Sequence, residues 1–135
     1  MVFIDTGFLV ALIKPTDELH IRARSWADLI EEPLLVTEYV LWETVNFLSR
    51  RDVRGRVQKL IERIQSDSRY TIISASNELF DVGMQMHVER QDKEWSLTDC
   101  ISFHLMRQHR ITRALTYDMH FEQAGFVALL REDPS

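Results

Sequence analysis

The stretch Val2-Phe3-Ile4-Asp5-Thr6-Gly7-Phe8-Leu9-Val10-Ala11-Leu12-Ile13 decides how this chain folds. Its first three residues are apolar and β-favouring, its middle is a short polar turn, and its second half is an apolar run that stops before Pro15. The order reads as strand, turn and helix, with an acid at the carboxyl end of the strand. Water does not explain Asp5 there. Removing an ionised carboxylate from solvent costs on the order of several kcal/mol unless protons, cations or metals compensate.

Working outward, the same alternation repeats. Thr16-Asp17-Glu18 is expected to cap a second helix running to about residue 30, with Leu19, Ala23, Trp26 and Ile30 on one stripe and Pro33 beyond its end. Leu34-Leu35-Val36 reads as a strand, and Thr37 as the cap of a helix carrying Val40, Glu43 and Phe47 on one face. A helix over 53–65 follows, then a strand at Tyr70-Thr71-Ile72-Ile73 and a helix capped by Ser76. After the polar break Gln91 to Glu94, Ser96-Leu97-Thr98-Asp99 opens another striped helix. Arg113-Ala114-Leu115-Thr116 gives a fourth strand, Asp118 starts a short helix ended by Gly125, and Phe126-Val127-Ala128-Leu129-Leu130 a weak last strand. Strands alternating with helices predict an α/β sandwich, a parallel twisted sheet covered by helices on both faces.

Composition agrees with one compact domain over residues 1–135: 45% of the residues are hydrophobic and 27% charged. No apolar run approaches the roughly 20 residues that cross a bilayer, and Met1 leads into a strand pattern rather than a basic signal start, so a cytoplasmic protein without membrane contact is expected. Cys100 has no internal partner for a disulfide and reads as a core filler. The net charge of −5 is unevenly spread. Arg50, Arg51, Arg54, Arg56, Lys59 and Arg63 share one stretch with only Asp52 and Glu62, and Arg107, Arg110 and Arg113 form a second basic stretch. Either these are solvated helix faces, or they form a phosphate-contacting rim beside an acidic centre.

Four acids stand out. Open α/β sheets bind ligands beyond the carboxyl ends of their strands, where Asp5 and Asp118 fall. Glu43 has Tyr39, Val40 and Phe47 at helical spacing and so is expected in an apolar neighbourhood, unless it pairs with an arginine such as Arg50. Each of the others has a structural alternative: Asp5 and Asp118 suit helix caps, and Asp99 completes a Ser-x-x-Asp capping box. Taken together, four converging carboxylates imply a cation, and an all-oxygen site favours Mg²⁺ or Mn²⁺. Asp118-Met119-His120 is too little to indicate zinc, with one cysteine and no paired histidines, and the four glycines form no nucleotide-binding loop.

With Val2-Phe3-Ile4-Asp5-Thr6, Leu41-Trp42-Glu43, Ser96-Leu97-Thr98-Asp99-Cys100 and Leu115-Thr116-Tyr117-Asp118-Met119-His120-Phe121 in this order, the chain resembles a PIN domain, the ribonuclease fold of VapC-type toxins in toxin–antitoxin pairs. The resemblance spans essentially the whole chain. It implies a site of Asp5, Glu43, Asp99 and Asp118 holding one or two divalent cations, supported by the hydroxyls of Thr6 and Thr116. Gly7 departs from the Asn or Ser of many members, which removes no ligand.

The implied activity is a Mg²⁺-dependent ribonuclease, with Mn²⁺ as the alternative ion, cutting single-stranded or loop RNA and leaving a 5′ phosphate. Asp5 and Asp99 are expected as main ligands, Asp118 as completing the site, and Glu43 as holding or deprotonating the water. Arg50, Arg51, Arg54, Arg56, Lys59 and Arg110 are the candidate phosphate contacts. Of the aromatics beside the motifs, Trp42, Trp95 and Tyr117, the one expected to be exposed for base stacking is Trp95. The resemblance further implies an antitoxin partner that blocks the acidic groove, and a homodimer formed by apolar stripes of the first helices. A free-standing RNA-processing PIN nuclease and a non-catalytic RNA- or partner-binding module are the alternatives. An aspartyl-phosphate phosphatase is disfavoured, because no acid follows Asp5 at the second position.

Overall fold

A computed structural model describes residues 1–134 and shows the alternation directly. The elements run β1 (Val2–Ile4), α1 (Thr6–Ile13), α2 (His20–Leu29), β2 (Leu34–Thr37), α3 (Glu38–Phe47), α4 (Arg54–Ser66), β3 (Tyr70–Ile73), α5 (Asn77–Glu89), α6 (Leu97–Gln108), β4 (Arg113–Leu115), α7 (Met119–Gln123) and β5 (Val127–Ala128). A 3-10 turn, Leu129–Arg131, follows β5. All strand pairings are parallel, in the order β3-β2-β1-β4-β5. The chain thus builds outward from β1 to β3, then returns to place β4 on β1's other side. That reversal opens a crevice at the carboxyl ends of β1 and β4, where an α/β sheet can take a ligand.

The caps form where the side-chain chemistry demands. Thr37 and Ser76 accept from the backbone N–H groups of Val40 and Leu79, satisfying donors that a helix start leaves free. Ser96 and Asp99 close a full capping box. The helix expected from Thr16 begins four residues later, at His20, because the Asp17 carboxylate accepts from Leu19 N–H and holds the preceding residues in a turn. The last strand is shorter than expected, since Leu129 and Leu130 turn into the core.

The β1 and β2 strands are wholly buried, as central strands of a parallel sheet must be. Around them Phe103 makes edge-on contacts with Trp95 and Phe121, each with ring centroids 4.9 Å apart. Burying one such ring stabilises the fold by about 1.5–3 kcal/mol. Trp95 therefore does not serve as an exposed platform: it is 4% exposed, with its indole N–H donated to Gln123. Of the three aromatics beside the motifs, the exposed ones are Trp42 and Tyr117.

On α3 the buried residues are Val40, Leu41 and Thr44, with Leu48 just beyond. Glu43 and Phe47 consequently point outward, correcting the apolar surroundings expected for Glu43. The buried Thr44 hydroxyl is satisfied by donating to Val40 O, so a polar residue occupies the inward face without penalty. The stripe Ala23, Trp26 and Ile30 of α2 is consumed by the chain's own core. It is not free to form the dimer surface expected from the first helices. An exposed apolar stripe lies instead on α5, at Phe80, Met84 and Val88.

Candidate metal centre and active site

Asp5 leaves the end of β1 and reaches the crevice as the residue before α1. It makes no side-chain cap bond; its Oδ2 accepts instead from Thr116 Oγ1 at 2.7 Å, across the β1–β4 join. The same Thr116 oxygen accepts from Asp118 N–H at 3.0 Å, so one buried hydroxyl fixes two acids. Asp99 enters from the first turn of α6, where the capping box sets its carboxylate: Oδ2 accepts from Ser96 N–H at 3.1 Å. Capping and lining the crevice are compatible roles for this acid. Asp118 likewise caps α7 through His120 N–H while facing the cleft.

Glu43 completes the group from α3. Its Oε1 accepts from Thr6 Oγ1 at 2.7 Å, which ties α3 to the start of α1. The cleft has a volume of about 390 Å³ and is bordered by all four acids, both threonines and His120. Glu94 and Tyr117 stand at its edge.

His120 is a site residue that its sequence neighbourhood does not single out. Its Nδ1 lies 3.0 Å from Asp99 Oδ2 and 3.4 Å from Asp118 Oδ1. With Asp99 ionised, Nδ1 must carry the proton and donate it, leaving Nε2 free. Donor atoms of Asp99, Asp118 and His120 lie within 4.8 Å of one another, a spacing that suits a shared metal ion. The signal was the i, i+2 pair Asp118 and His120 at a helix start, which acquires meaning only when Asp99 is brought opposite.

The electrostatics show what the site lacks without a cation. Burial pushes the Asp5 carboxyl up to about 7, the Thr116 and Thr6 hydrogen bonds only partly opposing it, and the charges of Asp99 and Asp118 push the same way. Asp99 is also raised, chiefly by burial, against the pull of Ser96 N–H and His120. Two carboxyls held above their ordinary range beside further acids are poised for a positive charge. The donor set, oxygen-rich with one optional nitrogen, fits a hard divalent cation. Cys100, behind Asp99, is buried with its thiol pushed up by desolvation and stays inert.

The candidate phosphate contacts do not gather at this cleft. Arg50, Arg51, Arg54, Arg56 and Lys59 are exposed around the start of α4, and Arg110 sits just past the end of α6. Asp99 lies in the first turn of that helix, so eleven residues place Arg110 about 16 Å along the axis from the acids.

Fold and site together define a PIN domain, and the chain belongs to that family: the PIN-domain family model matches residues 2–127. PIN domains are a family of divalent-metal-dependent nucleases, and this chain is an enzyme of that class. The particular likeness is to VapC-type toxins. The chain is 33% identical over 135 residues to the 23S rRNA-specific endonuclease VapC20 of Mycobacterium tuberculosis, in strains CDC 1551 / Oshkosh and ATCC 25618 / H37Rv, covering 98% of this chain and 100% of the relative. The crystal structure of the M. tuberculosis VapC20 toxin, described as sarcin-ricin loop cleaving, superposes with a TM-score of 0.86 and 26% identity, over 96% of this chain and 98% of that one. FitAcB of Neisseria gonorrhoeae shares the fold, with a TM-score of 0.67 and 19% identity over 95% of each chain.

Proposed function

We propose that this protein is an endoribonuclease toxin that uses Mg²⁺, or Mn²⁺ in its place, to hydrolyse phosphodiester bonds in a looped or single-stranded RNA. The observation that carries the reading is the meeting of Asp5, Glu43, Asp99 and Asp118, from four separate elements, in one cleft at the sheet's switch point. Asp5, Asp99 and Asp118 would hold the ion, with His120 beside them, its Nδ1 hydrogen-bonded to Asp99. When bound, a divalent cation supplies Lewis-acid stabilisation of phosphoryl charge and acidifies water.

The chain's own residues supply the geometry. Thr116 holds Asp5 and Asp118 at fixed spacing, and His120 and the capping box orient Asp99. Glu43, exposed at the cleft's rim and held by Thr6, would take the proton of the attacking water. No protein nucleophile is needed.

The VapC20 likeness supports a ribosomal RNA loop as the substrate and a bacterial cytoplasm as the setting. It also supports a cognate antitoxin that covers the acidic cleft, for which a cationic side chain is the complementary group. A second copy of the chain is the proposed occupant of the α5 stripe. Among the described residues, no helix is long and apolar enough to cross a membrane.

The test is cleavage of structured and unstructured RNAs, ribosomal loops included, by the purified chain in Mg²⁺, Mn²⁺ or EDTA. Cutting that needs the metal and disappears in Asp5→Asn and Asp99→Asn is the expected result. A folded wild type that cuts nothing, or cutting that survives both substitutions, would sink the reading.

A further inference from the structure

A second cleft, away from the acids, has the opposite character. It has a volume of about 580 Å³ and is floored by Leu12, Ile13, Ala27 and Leu60. Two helices face each other across it. From α4 come Arg56, Lys59 and Arg63, at the i, i+3 and i+7 positions that align on one helix face. From α2 come His20 and Arg24, one turn apart. Asp28 is the one acid in the lining.

These cations are not explained by internal pairing. Among the described residues, none of Arg24, Arg56, Lys59 and Arg63 takes part in a salt bridge. Arg56 has a structural contact, its Nη1 donating to Ile13 O, and Arg63 gains from its place in the last turn of α4. Lys59 and Arg24 have neither. His20 donates Nδ1–H to Ala11 O at 2.7 Å, which leaves Nε2 as its free nitrogen. A protein of net charge −5 has thus gathered unpaired cations around one concave site, where like charges repel unless an anion sits between them.

We infer that this α2–α4 cleft is an anion-binding site that takes the phosphate backbone of the RNA substrate, at nucleotides beyond the one cleaved. The inference rests on the ribonuclease reading of the acidic cleft. Helix α1 links the two places: Thr6 and Gly7 border the acids, while Leu12 and Ile13 floor the basic cleft. The helix rise puts them about 10 Å apart along its axis. Phosphates of one strand repeat at a smaller interval, so an RNA held at the acids has further phosphates within reach. The separation also resolves how an acidic nuclease grips a polyanion: chemistry and attraction are assigned to different clefts. Phosphate contacts of this kind position the chain and carry no sequence information.

The experiment compares wild type with the triple variant Arg24→Gln, Lys59→Gln, Arg63→Gln, leaving Arg56 in place for its bond to Ile13. Steady-state cleavage of a stem-loop RNA, at several salt concentrations, gives kcat and KM. Loss of three contacts should raise KM about tenfold or more and reduce the salt slope of log KM by about 2, with kcat within about twofold of wild type. Asp28→Asn should act in reverse, lowering KM and steepening the slope. Unchanged KM and slope in the triple variant, or a fall in kcat alone, would overturn the inference.

Binding of the same RNA, fluorescein-labelled, in metal-free buffer separates this failure from that of the ribonuclease reading. If wild type cuts no RNA yet binds it more tightly than the triple variant, the cleft stands and the enzymatic reading falls. Equal RNA binding by both overturns the cleft. So does polyglutamate that binds wild type and not the variant while RNA binds both alike, which would assign the cleft to an acidic protein segment.

Discussion

Replacing Asp5 by asparagine should make the metal-free protein more stable, although it removes a central site residue. The carboxyl of Asp5 is raised from 3.8 to about 7, mainly by burial. Between those pH values the folded protein keeps a proton that the unfolded chain has already released, so stability declines as pH rises and is lowest above pH 7. A shift of about three pKa units corresponds to about 4 kcal/mol at pH 8. Asparagine has the same shape, carries no charge, and can still accept from Thr116 Oγ1. That bond weakens when its acceptor is neutral, which trims the gain to about 2–4 kcal/mol. In a domain of this size the gain corresponds to a rise in Tm of about 6 °C or more. Thermal unfolding followed by circular dichroism in EDTA, at pH 8 and at pH 4, tests it. The variant should melt higher at pH 8, and most of the difference should be gone at pH 4, where Asp5 of the folded protein is protonated. Mg²⁺ or Mn²⁺ at pH 8 should then raise the Tm of wild type and leave the variant nearly unmoved. A variant that melts below wild type in EDTA at pH 8, or a difference independent of pH, would refute the argument that Asp5 is strained by its own charge.

Thr116→Val removes the hydroxyl shared by Asp5 and Asp118 and should cost about 1–2 kcal/mol in chemical denaturation. RNA cleavage should fall about 10- to 100-fold as the two acids lose their common anchor. His120→Ala frees Asp99 from its side-chain donor, and calorimetric affinity for Mn²⁺ should drop about 10- to 100-fold with little change in Tm. Gly83→Ala would set a Cβ 2.6 Å from Ile101 Cγ1 and 2.9 Å from Leu97 Cδ1, where α5 packs on α6. Despite alanine's better helix propensity, urea denaturation should show a loss of about 1–3 kcal/mol from overpacking.

The elements that sequence revealed are those whose cause is local. Thr37, Ser76 and Ser96 announce helix starts because a hydroxyl placed there satisfies free N–H groups whatever the rest of the chain does. Asp5 and Asp118 could be placed at strand ends because the crevice of a parallel sheet lies there. The orientation of α3 was not legible in the same way. Val40, Glu43 and Phe47 form one helical stripe, and Val40, Thr44 and Leu48 another; only packing against α1, α4 and β2 chooses the second. Trp95 follows a polar run, yet folds inward because Phe103, eight residues later, offers its face. His120 was obscured because its partner Asp99 is 21 residues away. Arg110, grouped with the phosphate contacts by its charge, is carried to the far end of α6 by the direction of that helix.

The pairing of β1 with β4 sets a schedule for the chain's synthesis. Asp5 leaves the ribosome before the strand that flanks it on one side, and before Thr116, which holds it and emerges more than a hundred residues later. Until then the crevice has one wall. At about 5–20 residues per second, the nascent chain spends several seconds with its first acid exposed and its site unassembled. A nuclease made on ribosomes therefore has an unassembled site beside them while those residues are added, and becomes competent only when β4 folds back onto β1.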